Sequence, residues 1–157
     1  MPTARMSPDD LYKNPQIRAD DINKCFEYES IDDIITSIGG YESVRILPFL
    51  DTKTIQKKNR IYHGFFRRDY FYNLLKPMGM VTFYGPSVMA GLAQIKSLPT
   101  EYTEHLEAIL FQGRFPYTYS PFEKWTNGYK DWSKLDTLGE CQQFYNNETG
   151  WTFLPPS

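Results

Sequence analysis

The sequence predicts a mainly α-helical protein, in which short helices and long extended segments surround one transmembrane helix and no large independent globular core forms. The first observation behind this fold class is residues 77–95, a run of 19 residues without a charged side chain. With Leu74 and Leu75 added, the run is long enough to cross roughly 30 Å of hydrocarbon as a helix. The second observation is charge asymmetry, because residues 57–76 carry six lysines and arginines and residues 96–115 carry two. Such an asymmetry orients single spans.

The predicted span, residues 74–96, divides the chain into three regions. Residues 1–73 form an N-terminal region on the basic side of the span, which is the side retained in a matrix or cytoplasm. Residues 97–157 form a C-terminal region on the opposite side. Tyr70, Phe71 and Tyr72 are placed like an aromatic belt at the membrane interface.

Small residues and a proline interrupt the predicted span. Pro86 removes a backbone hydrogen bond and kinks a helix, which membranes tolerate where neighbouring helices pack against it. Gly85, Ser87 and Gly91 then provide a helix-packing face. The alternative is a buried helix–turn or strand pair inside a soluble domain, broken at Gly85-Pro86.

Basic residues next to the span are the candidate binding residues. Arg67, Arg68 and Lys76 could contact anionic phospholipid headgroups. The simpler interpretation is a solvated cluster that sets the topology of the span.

Outside the centre, the sequence predicts short helices. Ser7-Pro8 is a helix start, with serine as the cap and proline at the first helical position. A stripe of isoleucines from Ile31 to Ile38 predicts a second well-defined helix, stopped by Gly39-Gly40. Further helices are predicted to start at Thr100 and at Ser120-Pro121, and another to cover Thr137–Asn147. A strand is predicted around Val44–Leu47, and residues 150–157 are expected to form an extended contact segment.

Several function classes are disfavoured by composition and motifs. A net charge of −2 and a pI near 5.7 argue against nucleic-acid binding. His63 and His105 are isolated, and Cys25 and Cys141 lie far apart without a CxxC pattern, so no metal site is predicted. Whether the two cysteines pair is left open. No phosphate-binding loop or hydrolase motif is present. The sequence therefore predicts no catalytic residue and no cofactor, and a protein that is not an enzyme.

The order of motifs around the span carries a family resemblance. A basic and aromatic block is followed by two leucines, by a small-residue segment and by a proline turn: Phe66-Arg67-Arg68-Asp69-Tyr70-Phe71, Leu74-Leu75, Gly91-Leu92-Ala93-Gln94-Ile95 and Leu98-Pro99-Thr100-Glu101-Tyr102. Ser120-Pro121, Trp125 and Gly150-Trp151 continue this order. It resembles the SGDH accessory subunit of mitochondrial respiratory complex I, over residues 60–126 and 150–157.

The resemblance implies a non-catalytic accessory subunit of a mitochondrial inner-membrane complex, most specifically complex I, that serves assembly and stability. Residues 1–73 would face the matrix and residues 97–157 the intermembrane space. Its partners would be neighbouring membrane subunits, with anionic phospholipid as a further contact. The alternative functions are a soluble structural interaction protein of a large assembly, such as an axonemal microtubule or filament, and a small soluble enzyme or ligand-binding domain.

Overall fold

The computed structural model describes residues 1–40, 42–58, 60–64, 70–128, 130–131, 134–137 and 140–148. The chain divides into two compact units, Met1–Leu92 and Ala93–Ser157. The first unit is a mixed α/β structure, and the second is built from a short helix and a small antiparallel ribbon. The predicted boundaries at 73/74 and 96/97 stay a prediction.

The first unit combines a parallel sheet with short helices. Its strands are β1 (Asp33–Ile35), β2 (Ile61–Gly64) and β3 (Thr82–Tyr84). Its α-helices are α1 (Pro8–Lys13), α2 (Pro15–Glu27), α3 (Thr52–Lys57) and α4 (Tyr70–Leu75). Short 3-10 helices cover Pro2–Arg5, Glu42–Phe49 and Lys76–Met78.

The sheet has the order β1-β2-β3, and both neighbouring pairs are parallel. Ile34 pairs with Tyr62, and Tyr62 pairs with Thr82. Parallel strands require crossover connections. The first crossover contains the Glu42–Phe49 helix and α3, and the second contains α4. The strand β2 is therefore the central strand, hydrogen-bonded on both sides.

The core of the first unit lies between one face of the sheet and the helices. Phe26 of α2, Ile55 of α3 and Leu75 of α4 are completely buried. They pack in one cluster with Ile34 and Tyr62 of the sheet. The Tyr62 ring meets Phe71 edge to face, with ring centroids 4.6 Å apart, an arrangement that adds to the burial energy of aromatic pairs.

Local capping explains where the first helices begin. Ser7 accepts a 3.2 Å hydrogen bond from the Asp10 amide, and Pro8 is the first helical residue, so the predicted helix start is confirmed. The buried side chain of Asp21 anchors the Pro2–Arg5 helix. Its Oδ2 accepts hydrogen bonds from the Thr3 amide at 2.9 Å and from the Thr3 hydroxyl at 2.7 Å.

The second unit contains α5 (Thr100–Leu106), which continues as a π-helix over Glu107–Phe111. The strands β4 (Lys124–Thr126) and β5 (Phe144–Asn146) pair antiparallel, with Trp125 opposite Tyr145. A 3-10 helix covers Leu135–Thr137, and another covers Leu92–Ser97 at the boundary of the units.

The predicted fold class, mainly α around one transmembrane helix, is wrong. Across the described ranges of the chain, no helix has both the length and the apolar character needed to cross a membrane. Residues 77–95 instead contain the end of a 3-10 turn, strand β3, a loop and the start of another 3-10 helix. The turn ends at Gly79, whose positive φ of 78° is the left-handed conformation that glycine adopts without strain.

Four predicted elements outside the span also have a different structure. The helix predicted to start at Ser120-Pro121 is absent among the described residues there, and the chain instead leads into strand β4. The isoleucine stripe from Ile31 to Ile38 forms strand β1 instead of a helix. The predicted strand around Val44–Leu47 is a 3-10 helix, and the predicted helix over Thr137–Asn147 contains strand β5. Short apolar runs do not distinguish strand from helix by periodicity alone, and partners distant in sequence decide between them.

The core makes a direct stability prediction. Replacing fully buried Phe26 with alanine should lower the free energy of unfolding by about 3–5 kcal/mol, since it removes a buried ring and leaves a cavity. Phe111 is 81% exposed, so Phe111→Ala is the matched control and should change it by no more than about 0.5 kcal/mol. Urea denaturation followed by circular dichroism measures both, and equal losses would contradict the assigned core.

Candidate functional site

The candidate site is the edge of the parallel sheet at which β1, β2 and β3 end, here named the carboxyl edge. It consists of the strand ends Ile35, Gly64 and Tyr84 with the following residues Thr36 and Gly85. In open α/β sheets, ligands bind outside the carboxyl ends of the strands. The carboxyl end of β2 lies in the middle of this edge.

His63 is the buried titratable group at the carboxyl edge. It lies in β2 opposite Ile35 and Phe83, and it is 1% exposed. Its Nδ1 has no hydrogen-bond partner among the described residues. Gly85 covers the other ring nitrogen so closely that a Cβ atom on Gly85 would lie 2.7 Å from His63 Nε2. Position 85 therefore requires glycine for as long as the imidazole is present.

The protonation of His63 follows from its surroundings. Burial lowers its pKa below the ordinary value, while the carboxyl group of Asp33 raises it by a smaller amount. Asp33 is in register with Ile61, two residues before His63, so it shares that face of the sheet. Desolvation in turn raises the pKa of Asp33. His63 is therefore an uncharged imidazole at neutral pH.

The Tyr72 hydroxyl links α4 to the carboxyl edge through hydrogen-bond contacts. It lies 2.5 Å from the Gly64 carbonyl oxygen and 2.8 Å from the Phe83 carbonyl oxygen. These carbonyls belong to β2 and β3, so one side chain holds both strand ends. A Cβ atom on Gly64 would lie 3.2 Å from the Tyr72 hydroxyl oxygen and 3.2 Å from Thr36 Cγ2, which leaves little room for a larger residue.

Residues 85–91, which follow β3, form hydrogen bonds along the carboxyl edge to the ends of β2 and β1. The Gly85 amide donates to the Gly64 carbonyl at 3.1 Å. Further along, the Val88 amide donates to the Thr36 carbonyl at 3.0 Å, and the Met89 amide donates to the Ser37 carbonyl at 2.8 Å. The segment thus extends from the end of β3 to the end of β1.

The structure gives the predicted packing residues a different setting. Gly85, Ser87 and Gly91 lie in this segment and not on a helix, and Ser87 forms a parallel β-bridge with Gly91. Ser87 is completely buried, and its hydroxyl accepts a 3.0 Å bond from the Ala90 amide. The three residues are close together because they form one loop.

Of the three predicted lipid-contact residues, the structure describes Lys76 alone. Lys76 is exposed in the Lys76–Met78 turn. Arg67 and Arg68 lie outside the described residues. Their proposed contact with phospholipid headgroups stays a prediction.

Sequence reasoning missed the side chains that define the edge, Thr36, His63 and Tyr72. The sequence treats His63 as an isolated histidine, because no other metal-binding or catalytic residue type clusters around it. The glycine at the end of that strand was the available signal. Among the described residues, no group of three or more histidine, cysteine, aspartate or glutamate side chains could hold a metal ion.

Comparison with known proteins gives a family match over the first unit. The family described as "Peptidase_S66: LD-carboxypeptidase N-terminal domain" matches residues 2–85. The Vibrio cholerae protein named "Putative carboxypeptidase VC_A0337" is 26% identical over 148 residues, which are 92% of this chain and 43% of that protein. The microcin C7 self-immunity protein MccF of Escherichia coli is 27% identical over 142 residues, which are 88% of this chain and 41% of that protein.

Solved structures agree with these matches. MccF in complex with aspartyl sulfamoyl adenosine superposes with a TM-score of 0.66 and 28% identity, over 84% of this chain and 40% of that chain. MccF in complex with glutamyl sulfamoyl guanosine gives the same values. This chain therefore spans about two fifths of the length of the relatives that it matches.

These matches correct the remaining sequence-based predictions. The resemblance to a complex I subunit was wrong, and with it the assignment as a non-catalytic respiratory-chain accessory subunit. The predicted membrane-subunit partners and the mitochondrial inner-membrane location are wrong for the same reason. The prediction that the protein is not an enzyme also fails, because the matched family is a peptidase family. Most of the uncharged run that suggested a span, residues 77–92, is part of the α/β first unit.

The family match covers more than half of the 157 residues, including all three parallel strands and the carboxyl edge. The chain belongs to the peptidase S66 family, the family of LD-carboxypeptidase N-terminal domains.

Proposed function

We propose that this chain carries the substrate-binding carboxyl edge of an S66-type hydrolase, which cleaves the bond between an amino acid and the acyl- or peptide-linked remainder of its substrate. One observation carries this proposal. Three buried side-chain polar atoms of the described residues have no hydrogen-bond partner, and two of them, Thr36 Oγ1 and His63 Nδ1, belong to residues at the carboxyl edge. Buried polar groups are nearly always paired, so two unpaired atoms at one sheet edge indicate positions for a ligand or for bound water.

The relatives support the choice of substrate class. One is named as a carboxypeptidase, and the family description refers to an LD-carboxypeptidase. MccF has been solved with aspartyl sulfamoyl adenosine and with glutamyl sulfamoyl guanosine, both of which join an amino acid to a nucleoside. An amino acid in an acyl linkage is the chemical feature that these descriptions share. We therefore place that linkage at the carboxyl edge.

The residues present favour direct attack by water. Residues 65–69, which separate β2 from α4 in the sequence, include no serine, threonine or cysteine. A nucleophilic serine in α/β hydrolytic enzymes commonly occupies such a strand-to-helix turn. In the proposed reaction, water adds to the carbonyl carbon, the bond to the leaving group breaks, and one proton passes from the water to the leaving atom. The uncharged imidazole of His63 is able to accept and return that proton, and the Thr36 hydroxyl is able to bind the substrate.

The hydrolysis experiment uses the full chain with two substrates, a peptide whose last bond joins an L- to a D-residue and aspartyl sulfamoyl adenosine. We expect release of the terminal amino acid, measured by chromatography and mass spectrometry. His63→Gln should lower kcat/KM about 100-fold or more, because proton transfer by a positioned side chain contributes that much. Thr36→Val should raise KM, since it removes a substrate contact.

His105→Gln, in the second unit, is the matched control and should keep the activity of the unaltered chain. Circular dichroism of each variant shows whether the fold is retained. Failure of the unaltered chain to release an amino acid from either substrate would contradict the proposal, even if calorimetry detected binding. A covalent acyl adduct in the intact mass would contradict direct attack by water.

The two histidines also predict a pH dependence of stability. Burial lowers the pKa of His63 and of His105 in the folded chain, so the unfolded chain, with pKa values near 6.5, binds protons more readily. Their contribution to stability is therefore present above pH ~6.5 and is lost as the pH falls below that value. Unfolding midpoints should decrease between pH 7 and pH 5.5.

The sequence contains only these two histidines, so the double variant His63→Gln/His105→Gln should have a much flatter pH profile over this range. Each single variant should remove part of the slope. An unchanged slope in the double variant would show that other groups cause the loss of stability.

A further inference from the structure

Exposed apolar side chains border the carboxyl edge on two neighbouring segments. Val88 and Met89 follow β3 and are 44% and 40% exposed, and Ile38 follows β1 and is 46% exposed. We name these three side chains the apolar rim. The segments that carry them, residues 34–40 and 82–95, contain no charged side chain. The proposed function uses His63 and Thr36 and gives the rim no role.

Backbone hydrogen bonds join the two segments of the apolar rim. The Val88 amide donates to the Thr36 carbonyl at 3.0 Å, and the Met89 amide donates to the Ser37 carbonyl at 2.8 Å. Ile38 is the next residue after Ser37. Because Thr36 Oγ1 is one of the two buried atoms without a partner at the carboxyl edge, the rim lies beside the position proposed for the substrate.

A tight turn fixes the position of the rim residues that follow β3. The Ser87 amide donates to the Ala90 carbonyl at 3.1 Å, and the Ala90 amide donates to the Ser87 hydroxyl at 3.0 Å. Ser87 is completely buried, and Val88 and Met89 are the two central residues of the turn. A ligand that binds here therefore does not have to order the loop, which lowers the entropic cost of binding.

The electrostatics of the edge disfavour an acidic ligand group. A carboxylate placed on an apolar surface loses hydration, and neither rim segment offers it a cation. Burial lowers the pKa of His63, and the Asp33 carboxyl raises it by a smaller amount. Asp33 shares the sheet face of His63, so the field of its carboxylate reaches this site and would repel a second carboxylate.

We propose that the apolar rim binds the side chain of the amino acid whose acyl bond is cleaved, and that the chain prefers leucine to aspartate at this position. The inference rests on the proposed function for the location of that bond. Thr36 would contact the linkage, and Ile38, Val88 and Met89 would contact the side chain. Burial of apolar surface on the rim supplies the preference.

The first experiment compares leucyl, asparaginyl and aspartyl sulfamoyl adenosine, whose side chains have similar shapes but differ in polarity and charge. Calorimetry of the full chain should give a Kd for the leucyl compound roughly tenfold lower than for the aspartyl compound, with the asparaginyl compound between them. The leucyl compound should also cause the larger amide NMR shifts at Val88 and Met89. Equal affinities, tighter binding of the aspartyl compound, or no saturable binding of any of the three would overturn the inference.

The second experiment uses two matched valine variants. Val88 and Val44 are both 44% exposed, and Val44 lies in the Glu42–Phe49 helix. Val88→Lys should strengthen aspartyl binding and weaken leucyl binding, so that the ratio of the two Kd values narrows about fivefold. Val44→Lys should leave that ratio unchanged. A folded Val88→Lys chain, as judged by circular dichroism, with the ratio of the unaltered chain would contradict the assigned contact.

The outcomes separate this inference from the proposed function. A preference for the leucyl compound in binding, without release of leucine, would contradict hydrolysis and retain the apolar rim as a binding site. Release of all three amino acids with equal Kd values would contradict the rim alone. The ligand series uses the unaltered chain, so it does not depend on the folding of a variant.

Discussion

The pairing of β2 on both sides is the constraint on which the first unit depends. Three strands of three or four residues form this sheet, and only β2 has neighbours at both edges. Its two inner residues, Tyr62 and His63, are 3% and 1% exposed. Tyr62 belongs to the core below the sheet, and His63 lies on the opposite face. Strands this short are stable only because α2, α3 and α4 cover the core face.

The same pairing creates the carboxyl edge. Because both pairs are parallel, all three strands end on one side, and their terminal carbonyl groups need partners there. The Tyr72 hydroxyl lies within hydrogen-bond distance of the Gly64 and Phe83 carbonyls, and the amides of Gly85 and Val88 donate to the carbonyls of Gly64 and Thr36. Each partner comes from the chain that follows β2 or β3. Among the described residues, two buried side-chain atoms at this edge, His63 Nδ1 and Thr36 Oγ1, have no hydrogen-bond partner.

Whether an element could be predicted from sequence depended on whether the residues that determine it are close together in the chain. The start of α1 was predicted correctly, because Ser7, Pro8 and Asp10 form a cap within four residues. The start of α5 at Thr100 was also correct, although the residue at the cap position is Pro99. The helix predicted from Ile31 to Ile38 was wrong. The run contains the half-buried strand β1, and pairing with Tyr62 and His63 decides the outcome.

The predicted span failed for the same physical reason. Residues 77–95 include a strand of a parallel sheet and a loop at its end. Several of their apolar side chains are exposed, such as Tyr84 at 61% and Val81 at 53%, so the absence of charge does not mark a membrane environment. The glycines and Pro86, considered as flaws in a membrane helix, are the residues that turn the chain. The carboxyl edge itself could not be predicted, because Thr36, His63 and Tyr72 come together only through the order of the strands.

The central claim is that the carboxyl edge of the parallel sheet binds the substrate. The most direct measurement is a titration of the isotope-labelled full chain with aspartyl sulfamoyl adenosine, followed by backbone amide NMR shifts. Our account predicts the largest shifts at Thr36, Gly64 and Gly85, with smaller changes at the opposite, amino-terminal ends of the strands, such as Asp33 and Ile61. Saturable binding with shifts confined to the amino-terminal ends or to the second unit would contradict it.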